Sequence, residues 1–280
     1  MSVFFVAVIG IGWVLSEVYG NPGMLYTAAL FSIGMNISAF WFSDKVAIAA
    51  ARAKPADGPE YLELNRIVEN LAITAGLPKP RVYVMDEPAP NAFATGRDAK
   101  HAAIAVTTGL MRTLDKAELE GVIAHELSHI GNRDILVMTV AVVLVGFLSI
   151  IGDMFFRMSV FGGNRDSDSK NGGLLAILAV VALVIAPIAA QLMQLAISRK
   201  REFLADASGA LLTRYPDGLA SALQKIGSYS APMSSASSAT AHLYISNPFG
   251  KEQAGRFVAK LFATHPPMEE RIAALNDMRL

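Results

Sequence analysis

Four long stretches without a charged residue constrain the fold of this sequence more than any other feature. They cover residues 1–16, 18–43, 135–152 and 171–198. An α-helix needs about 20 apolar residues, and at least roughly 17, to cross the hydrocarbon core of a bilayer. The sequence therefore predicts four transmembrane helices, and a turn at "GNPG" leaves residues 24–42 as the second span.

The composition agrees with a membrane protein. Hydrophobic residues make up 53% of the chain and charged residues only 17%, whereas about a quarter of the residues of a soluble domain are charged. Basic and acidic residues both number 24, which argues against a nucleic-acid partner. Because the chain has no cysteine, any metal has to be held by histidine and carboxylate side chains.

Two of the apolar stretches have alternative interpretations. Residues 1–16 match the length of a signal-peptide core, but no basic residue precedes them and a second apolar stretch follows a tight turn, which favours an uncleaved hairpin. Residues 135–152 could instead form a buried core helix of a soluble protein.

Basic residues predict the orientation of the spans. They follow the second and fourth stretches at Lys45, Arg52, Lys54, Arg199, Lys200 and Arg201, and the first turn has only Glu17. By the positive-inside rule, both segments face the cytoplasm. The predicted units are a transmembrane hairpin (1–43), a first cytoplasmic part (44–134), a second transmembrane pair (135–198) and a C-terminal cytoplasmic part (199–280).

The first cytoplasmic part has a globular pattern. Apolar residues at helical spacing predict a helix over residues 60–75, and "RVYVMDE" predicts a strand. "NAFATG" and "HAAIAVTTG", separated by "RDAK", predict a β-hairpin. Its edge could bind an extended peptide by β-augmentation, or the hairpin could belong only to the core. The expected fold is mainly α-helical with a small β-sheet.

A metal motif lies on the next predicted helix. Thr113 and Asp115 are N-cap candidates, and Glu118 completes a capping-box pattern with Asp115. His125 and His129 are four residues apart, so both imidazoles project from one helix face and can bind one ion. Glu126 can reach a metal-bound water as general base, which is the HExxH arrangement of zinc peptidases.

The third ligand is predicted in "ISRKREFLADASG". Glu202 can bind the metal, and Asp206, one turn later, can accept the free ring N–H of a ligand histidine. Acidic residues at this spacing usually face solvent, so the spacing alone is weak. However, the third and fourth spans return the chain to the same face of the membrane, so both ligand helices emerge together.

The motifs "HELSHIGNRD", "REFLADASG", "NAFATG" and "THPPMEERI" resemble the HtpX family of membrane zinc metallopeptidases, which are relatives of the CAAX prenyl proteases. The resemblance implies four transmembrane helices with a cytoplasmic zincin-like domain in a bacterial inner membrane. It implies one zinc ion held by His125, His129 and Glu202, with Glu126 as base and "NAFATG" lining the substrate cleft. The implied substrates are misfolded or damaged membrane proteins, with other quality-control proteases as partners.

Three further residues are weaker candidates. His265 could steady the oxyanion near the metal, or could simply precede a helix that begins after Pro266. Arg271 could anchor its segment through an acidic partner. Asn91 could bind the substrate backbone, or could be a turn residue.

Two other functions are weighed against proteolysis of membrane proteins. A membrane zinc transporter or sensor would place polar ligands within the spans, whereas these ligands lie outside them. A prenyl-type protease acting on lipid-modified C-termini would need more spans to enclose a chamber.

Overall fold

The computed structural model describes residues 9–10, 12–13, 16–17, 20–140, 199–237, 240–250 and 266–278. The helices within these ranges are α1 (Gly23–Ala50), α2 (Leu62–Thr74), α3 (Thr108–Thr113), α4 (Lys116–Gly131), α5 (Arg199–Thr213), α6 (Pro216–Ser228) and α7 (Met268–Asn276). The strands are β1 (Lys54–Pro55), β2 (Arg81–Met85), β3 (Ala92–Thr95) and β4 (Ala103–Thr107). The predicted class, mainly helical with a small sheet, describes this part of the chain.

The four strands form one mixed sheet in the order β1-β2-β4-β3. β2 and β4 are parallel, with Arg81 opposite Ala103. β3 and β4 form the predicted hairpin, with Ala92 opposite Val106 and Thr95 opposite Ala103. β3 is therefore an edge strand of this sheet, and the metal-motif helix α4 packs against it.

Helices α2, α4 and α6 and the sheet share one hydrophobic core. Val68, Ile104, Val122 and Leu223 are all fully buried in it. Burying an aliphatic side chain of this size stabilises the fold by about 1.5 to 3 kcal/mol. The core thus fixes α4, which carries the metal motif, between the sheet and the helices.

The ends of two helices show how local chemistry sets their limits. Asp115 caps α4, and its carboxylate accepts a hydrogen bond from the Glu118 N–H while the Glu118 carboxylate accepts one from the Asp115 N–H. The predicted capping box is therefore present. The helix predicted over residues 60–75 is α2, which begins later because Pro59–Tyr61 form a 3-10 turn.

Two glycines allow other backbones to approach α4 closely. A Cβ on Gly209 of α5 would lie 2.9 Å from the His125 backbone nitrogen. A Cβ on Gly121 would lie 2.8 Å from the backbone nitrogen of Leu219 in α6. Because real Cβ atoms essentially never approach so closely, a side chain at either position would push α5 or α6 away from α4. The close contact with α5 brings Glu202 towards the two histidines.

The predicted spans fall mostly outside the described residues. Residues 24–42 lie within α1 and residues 134–140 are helical, while the rest of the third span and all of the fourth lie outside the described ranges. Among the described residues, no helix is both long enough and apolar enough to cross a membrane. The four-span arrangement therefore stays a prediction.

Candidate metal centre

Two helices bring three potential metal ligands together. His125 and His129 project from α4, Glu202 projects from α5, and all three are buried. The two histidine Nε2 atoms are 3.2 Å apart. The Glu202 carboxylate oxygens lie 3.6 Å from His129 Nε2 and 3.9 Å from His125 Nε2.

These distances fit a tetrahedral zinc ion. Zinc binds histidine nitrogen and carboxylate oxygen at about 2.0 to 2.2 Å, so neighbouring ligand atoms should lie about 3.3 to 3.5 Å apart. The histidine nitrogens, 3.2 Å apart, and Oε1 of Glu202, 3.6 Å from His129 Nε2, lie close to that value, while Oε2 lies 3.9 Å from His125 Nε2. Two imidazoles and one carboxylate also form the ligand set of zinc sites that keep a fourth position for water. The donor set and its spacing therefore suit a catalytic zinc ion.

Glu126 lies between the two histidines in sequence and is buried beside them. Burial raises the pKa of its carboxyl to about 7; His129 partly opposes the rise and Glu202 adds to it. The backbone N–H of Ala94 in β3 also lowers the pKa of this carboxyl slightly. A carboxyl group with a pKa near 7 can both accept and return a proton at neutral pH.

His125 is supported by Asp206 and Arg271. We call this pair the inner brace. Asp206 Oδ1 lies 2.9 Å from His125 Nδ1, the arrangement that the sequence predicts. Arg271 donates two hydrogen bonds to Asp206, at 2.6 and 2.8 Å, and is fully buried. Arg271 thus has the acidic partner expected from the sequence, and it links α7 to α5.

The inner brace sets the ionisation of its members. Burial alone would raise the pKa of Asp206. The charge and hydrogen bonds of Arg271 have the larger effect, so the pKa lies below its ordinary value. Burial lowers the pKa of His125 to about 4, although Asp206 opposes the shift. His125 is therefore neutral at physiological pH, as metal binding requires.

His129 is supported by a second pair, Asp134 and Arg201, which we call the outer brace. Asp134 Oδ2 lies 3.1 Å from His129 Nδ1, and Arg201 forms an ion pair with Asp134. Burial lowers the pKa of His129, but Asp134 and Glu202 outweigh burial and raise it to about 9. A metal ion has to displace this proton to bind.

The sequence reasoning missed the outer brace. The signal was the last residue of "HELSHIGNRD", five positions after His129. If one ligand histidine needs a carboxylate to orient its ring, the other does too, and Asp134 is the acidic residue that follows the motif.

The weaker candidates lie in different places. Asn91 is buried, and its side chain bonds the backbone N–H and C=O of Ser246, at 3.2 and 2.9 Å. These contacts are internal, so a role in substrate binding stays a prediction. His265 lies outside the described residues.

The outer edge of β3 is already occupied by other parts of the chain. Ile245 N–H donates to Ala92 C=O at 3.0 Å. At the other end, Thr139 Oγ1 bonds both the N–H and the C=O of Gly96. Ile245 and Thr139 thus cover the two ends of this edge, at Ala92 and Gly96, and both interpretations of the hairpin stay predictions.

Comparison with known proteins gives consistent matches. The profile of peptidase family M48 matches residues 60–279. A "Protease HtpX homolog" of Caldanaerobacter subterraneus subsp. tengcongensis is 50% identical over 266 residues, covering 94% of this chain and 87% of that protein. Another, from Pyrococcus furiosus, is 46% identical over 276 residues and covers 97% and 91%. These matches confirm the predicted family.

Among solved structures, a crystal structure of S. mikatae Ste24p has a similar fold. The TM-score is 0.53, the sequence identity is 19%, and the match covers 95% of this chain and 62% of that one. At this identity the likeness concerns the fold alone.

Proposed function

The chain belongs to peptidase family M48 and is a metalloprotease, and from that premise we propose that it is a membrane zinc endopeptidase. We propose that it cleaves misfolded or damaged membrane proteins on the cytoplasmic side of a bacterial inner membrane. The convergence of His125, His129 and Glu202 in one buried site supports the zinc chemistry. The apolar stretches and the basic residues beside them support the location.

The ligands and the base have separate roles in the proposed reaction. Zinc, when bound by His125, His129 and Glu202, polarises the peptide carbonyl and makes water easier to deprotonate. Glu126 accepts the proton of the attacking water and transfers it to the leaving amine. Burial raises the pKa of Glu126, which makes its carboxylate a stronger base.

The substrate backbone is proposed to pair with β3. An extended peptide on this edge would run beside Ala94, whose N–H is close enough to influence the pKa of Glu126, and so would pass the reactive carboxylate. Since Ile245 now bonds Ala92, the segment around Ile245 has to move aside when a peptide binds.

The test pairs zinc content with cleavage of an unfolded model protein by the detergent-purified chain. Glu126→Gln should keep about one zinc ion per chain and lose cleavage, because the amide cannot accept the proton. His129→Ala and Glu202→Ala should lose zinc. Glu120→Gln makes the same chemical change on the same helix and should keep both properties.

Cleavage by Glu126→Gln at the wild-type rate would remove Glu126 from the mechanism. Zinc in every protein with no cleavage of several substrates would favour a zinc transporter or sensor instead. No contact in the described part of the chain favours that alternative, because the three ligands converge between α4 and α5, outside the uncharged stretches.

A further inference from the structure

A pocket away from the metal centre lies where α1 meets one end of the sheet. Its volume is about 620 Å³, within the range of small-molecule sites, which is about 300 to 1,000 Å³. It is lined by side chains of the C-terminal half of α1, the start of β2 and the β3–β4 turn. None of the metal-centre residues lines it.

One wall of the pocket is apolar. Ile37, Trp41 and Phe42 of α1 form it, and each is about half exposed, at 53%, 51% and 50%. They stand at the end of the uncharged stretch 24–42. Tryptophan at the end of an apolar helix is typical of the membrane–water interface, where the ring lies at headgroup level.

The rest of the lining is strongly basic. Lys45, Arg81, Arg97 and Lys100 provide four positive charges and Asp44 provides one negative charge, which leaves an excess of three. Asp44 is bonded to Arg81 at 2.5 Å. Such an excess of cations around one cavity favours an anionic ligand.

The two walls meet at a contact between a cation and an aromatic ring. The Arg97 guanidinium carbon lies 4.3 Å from the centre of the Trp41 ring. Asp98 lies 3.4 Å from Arg97, and counting it still leaves an excess of two positive charges in the region. The pocket therefore offers positive charge directly beside an apolar surface.

A second apolar stretch reaches the same end of the sheet. Residues 135–140 begin the third stretch, and Thr139 bonds Gly96, the residue before Arg97. Met138 also packs in one cluster with Ala47 of α1. If the proposed membrane location is correct, this end of the sheet faces the bilayer.

We propose that this pocket binds the phosphate headgroup of an anionic phospholipid. The phosphate lies among Lys45, Arg97 and Lys100, and the acyl chains pack against Ile37, Trp41 and Phe42 of α1. The proposal rests on the membrane location in the proposed function, but not on the peptidase chemistry. A free phosphate ester would use the same cations, yet it would leave the apolar wall without a partner.

Trp41 provides a direct reporter of binding. The chain has two tryptophans, Trp13 and Trp41, so in the Trp13→Phe protein the fluorescence comes from the pocket alone. The full chain in neutral detergent is titrated with dioctanoyl phosphatidylglycerol, with dioctanoyl phosphatidylcholine and with glycerol 3-phosphate. We expect a saturable change with phosphatidylglycerol, at least about tenfold tighter than with either other ligand.

Matched variants test the cations. Lys45→Gln and Arg97→Gln should each weaken phosphatidylglycerol binding about fivefold, since one cation near an anionic lipid contributes about 1 kcal/mol. Lys79→Gln should leave it unchanged, because exposed Lys79 pairs with Glu69 outside the pocket. Equal binding of the two lipids, or unchanged binding by both pocket variants, would overturn the proposal.

The remaining outcomes separate this proposal from others. Glycerol 3-phosphate binding as tightly as phosphatidylglycerol would overturn the lipid assignment in favour of a soluble phosphate ester. The Glu126→Gln protein should bind phosphatidylglycerol like the wild type. Lipid binding without proteolysis would refute the proposed enzyme chemistry alone, and proteolysis without selective lipid binding would refute the pocket proposal alone.

Discussion

The inner and outer braces support the two histidines of α4 with the same chemical groups in different surroundings. In each, a carboxylate lies about 3 Å from the Nδ1 atom of a histidine and pairs with an arginine. Arg271 of the inner brace is fully buried, whereas the Arg201 side chain of the outer brace is 41% exposed. The same groups are therefore desolvated on one side of the metal centre and partly hydrated on the other.

This difference in hydration decides what each brace contributes. A buried ion pair costs a great deal to break, because the remaining partner is left as an uncompensated charge. An exposed pair is screened by water and salt and contributes little. The inner brace should therefore be structural as well as functional, because it also anchors α7, while the outer brace should act mainly on the orientation of His129.

The largest effect is expected from Arg271→Ala. It leaves the Asp206 carboxylate buried beside Glu202 without its cation and removes the link to α7. The loss in the free energy of unfolding should be about 3 to 5 kcal/mol, measured by urea unfolding of the metal-free protein in detergent. Arg271→Lys keeps the charge but loses the two-pronged geometry, so it should recover only part of the loss. A loss below about 1 kcal/mol for Arg271→Ala would contradict the buried character of the brace.

The second prediction compares Asp206→Asn with Asp134→Asn. Removing a carboxylate that orients a ligand histidine typically lowers metal affinity by about 10- to 100-fold. Asp206→Asn should lie at the upper end, because it also removes both hydrogen bonds that Arg271 donates to Asp206 and leaves this buried cation with Glu202, 3.6 Å away. Chelator competition measures the zinc Kd, and Asp57→Asn, an exposed aspartate outside the braces, serves as the control. A larger loss of zinc affinity in Asp134→Asn than in Asp206→Asn would mean that the outer brace contributes more to metal binding than the inner one.

The braces also show how far the sequence can predict such a site. Asp206 was predictable because it shares a helix face with Glu202, so one local pattern contains both. The contact of Arg271 with Asp206 spans 65 positions and that of Arg201 with Asp134 spans 67. No periodicity of the sequence predicts contacts between residues so far apart in the chain, because the tertiary fold brings them together.

The same limit applies to the hairpin of β3 and β4. The hairpin was predictable from its alternating small and β-branched residues and its polar turn. The residue that covers its edge, Ile245, lies far along the chain and carries no pairing signal of its own. A contact of Ser234 shows the same limit. Its backbone N–H and its hydroxyl both donate to the buried Glu87 carboxylate, at 2.8 and 2.7 Å, across 147 positions.

Glu118 is a third buried carboxylate, and among the described residues its partners are Lys225, Ser221 and the Asp115 N–H rather than a histidine. Burial alone would raise the pKa of Glu118. The hydrogen bonds from Lys225 and Ser221 outweigh burial, so the pKa lies below the ordinary value of 4.5. A carboxyl group with a lowered pKa in the folded state stabilises the protein above its unfolded pKa, and this contribution disappears as the pH falls through the folded value.

Glu118→Gln should therefore destabilise the protein by about 1 kcal/mol at pH 7, since it weakens both the cap and the Lys225 pair. The difference from wild type should shrink as the pH is lowered below about 4.5. Urea unfolding at a series of pH values measures it. A difference that grows towards acid pH would mean that the carboxylate is held neutral in the folded state.

The smallest effect is expected from Arg201→Gln. Because the Arg201 side chain is 41% exposed, water already screens its pair with Asp134, and the free energy of unfolding should change by less than about 1 kcal/mol. The change should shrink further between low salt and about 1 M salt, where the screening length is about 3 Å. The loss in Arg271→Ala should hardly respond to salt, since both partners of its pair are buried. If the stability losses of the two variants respond equally to salt, the outer brace is as desolvated as the inner one. Any difference between the two braces would then come from the link of the inner brace to α7 rather than from hydration.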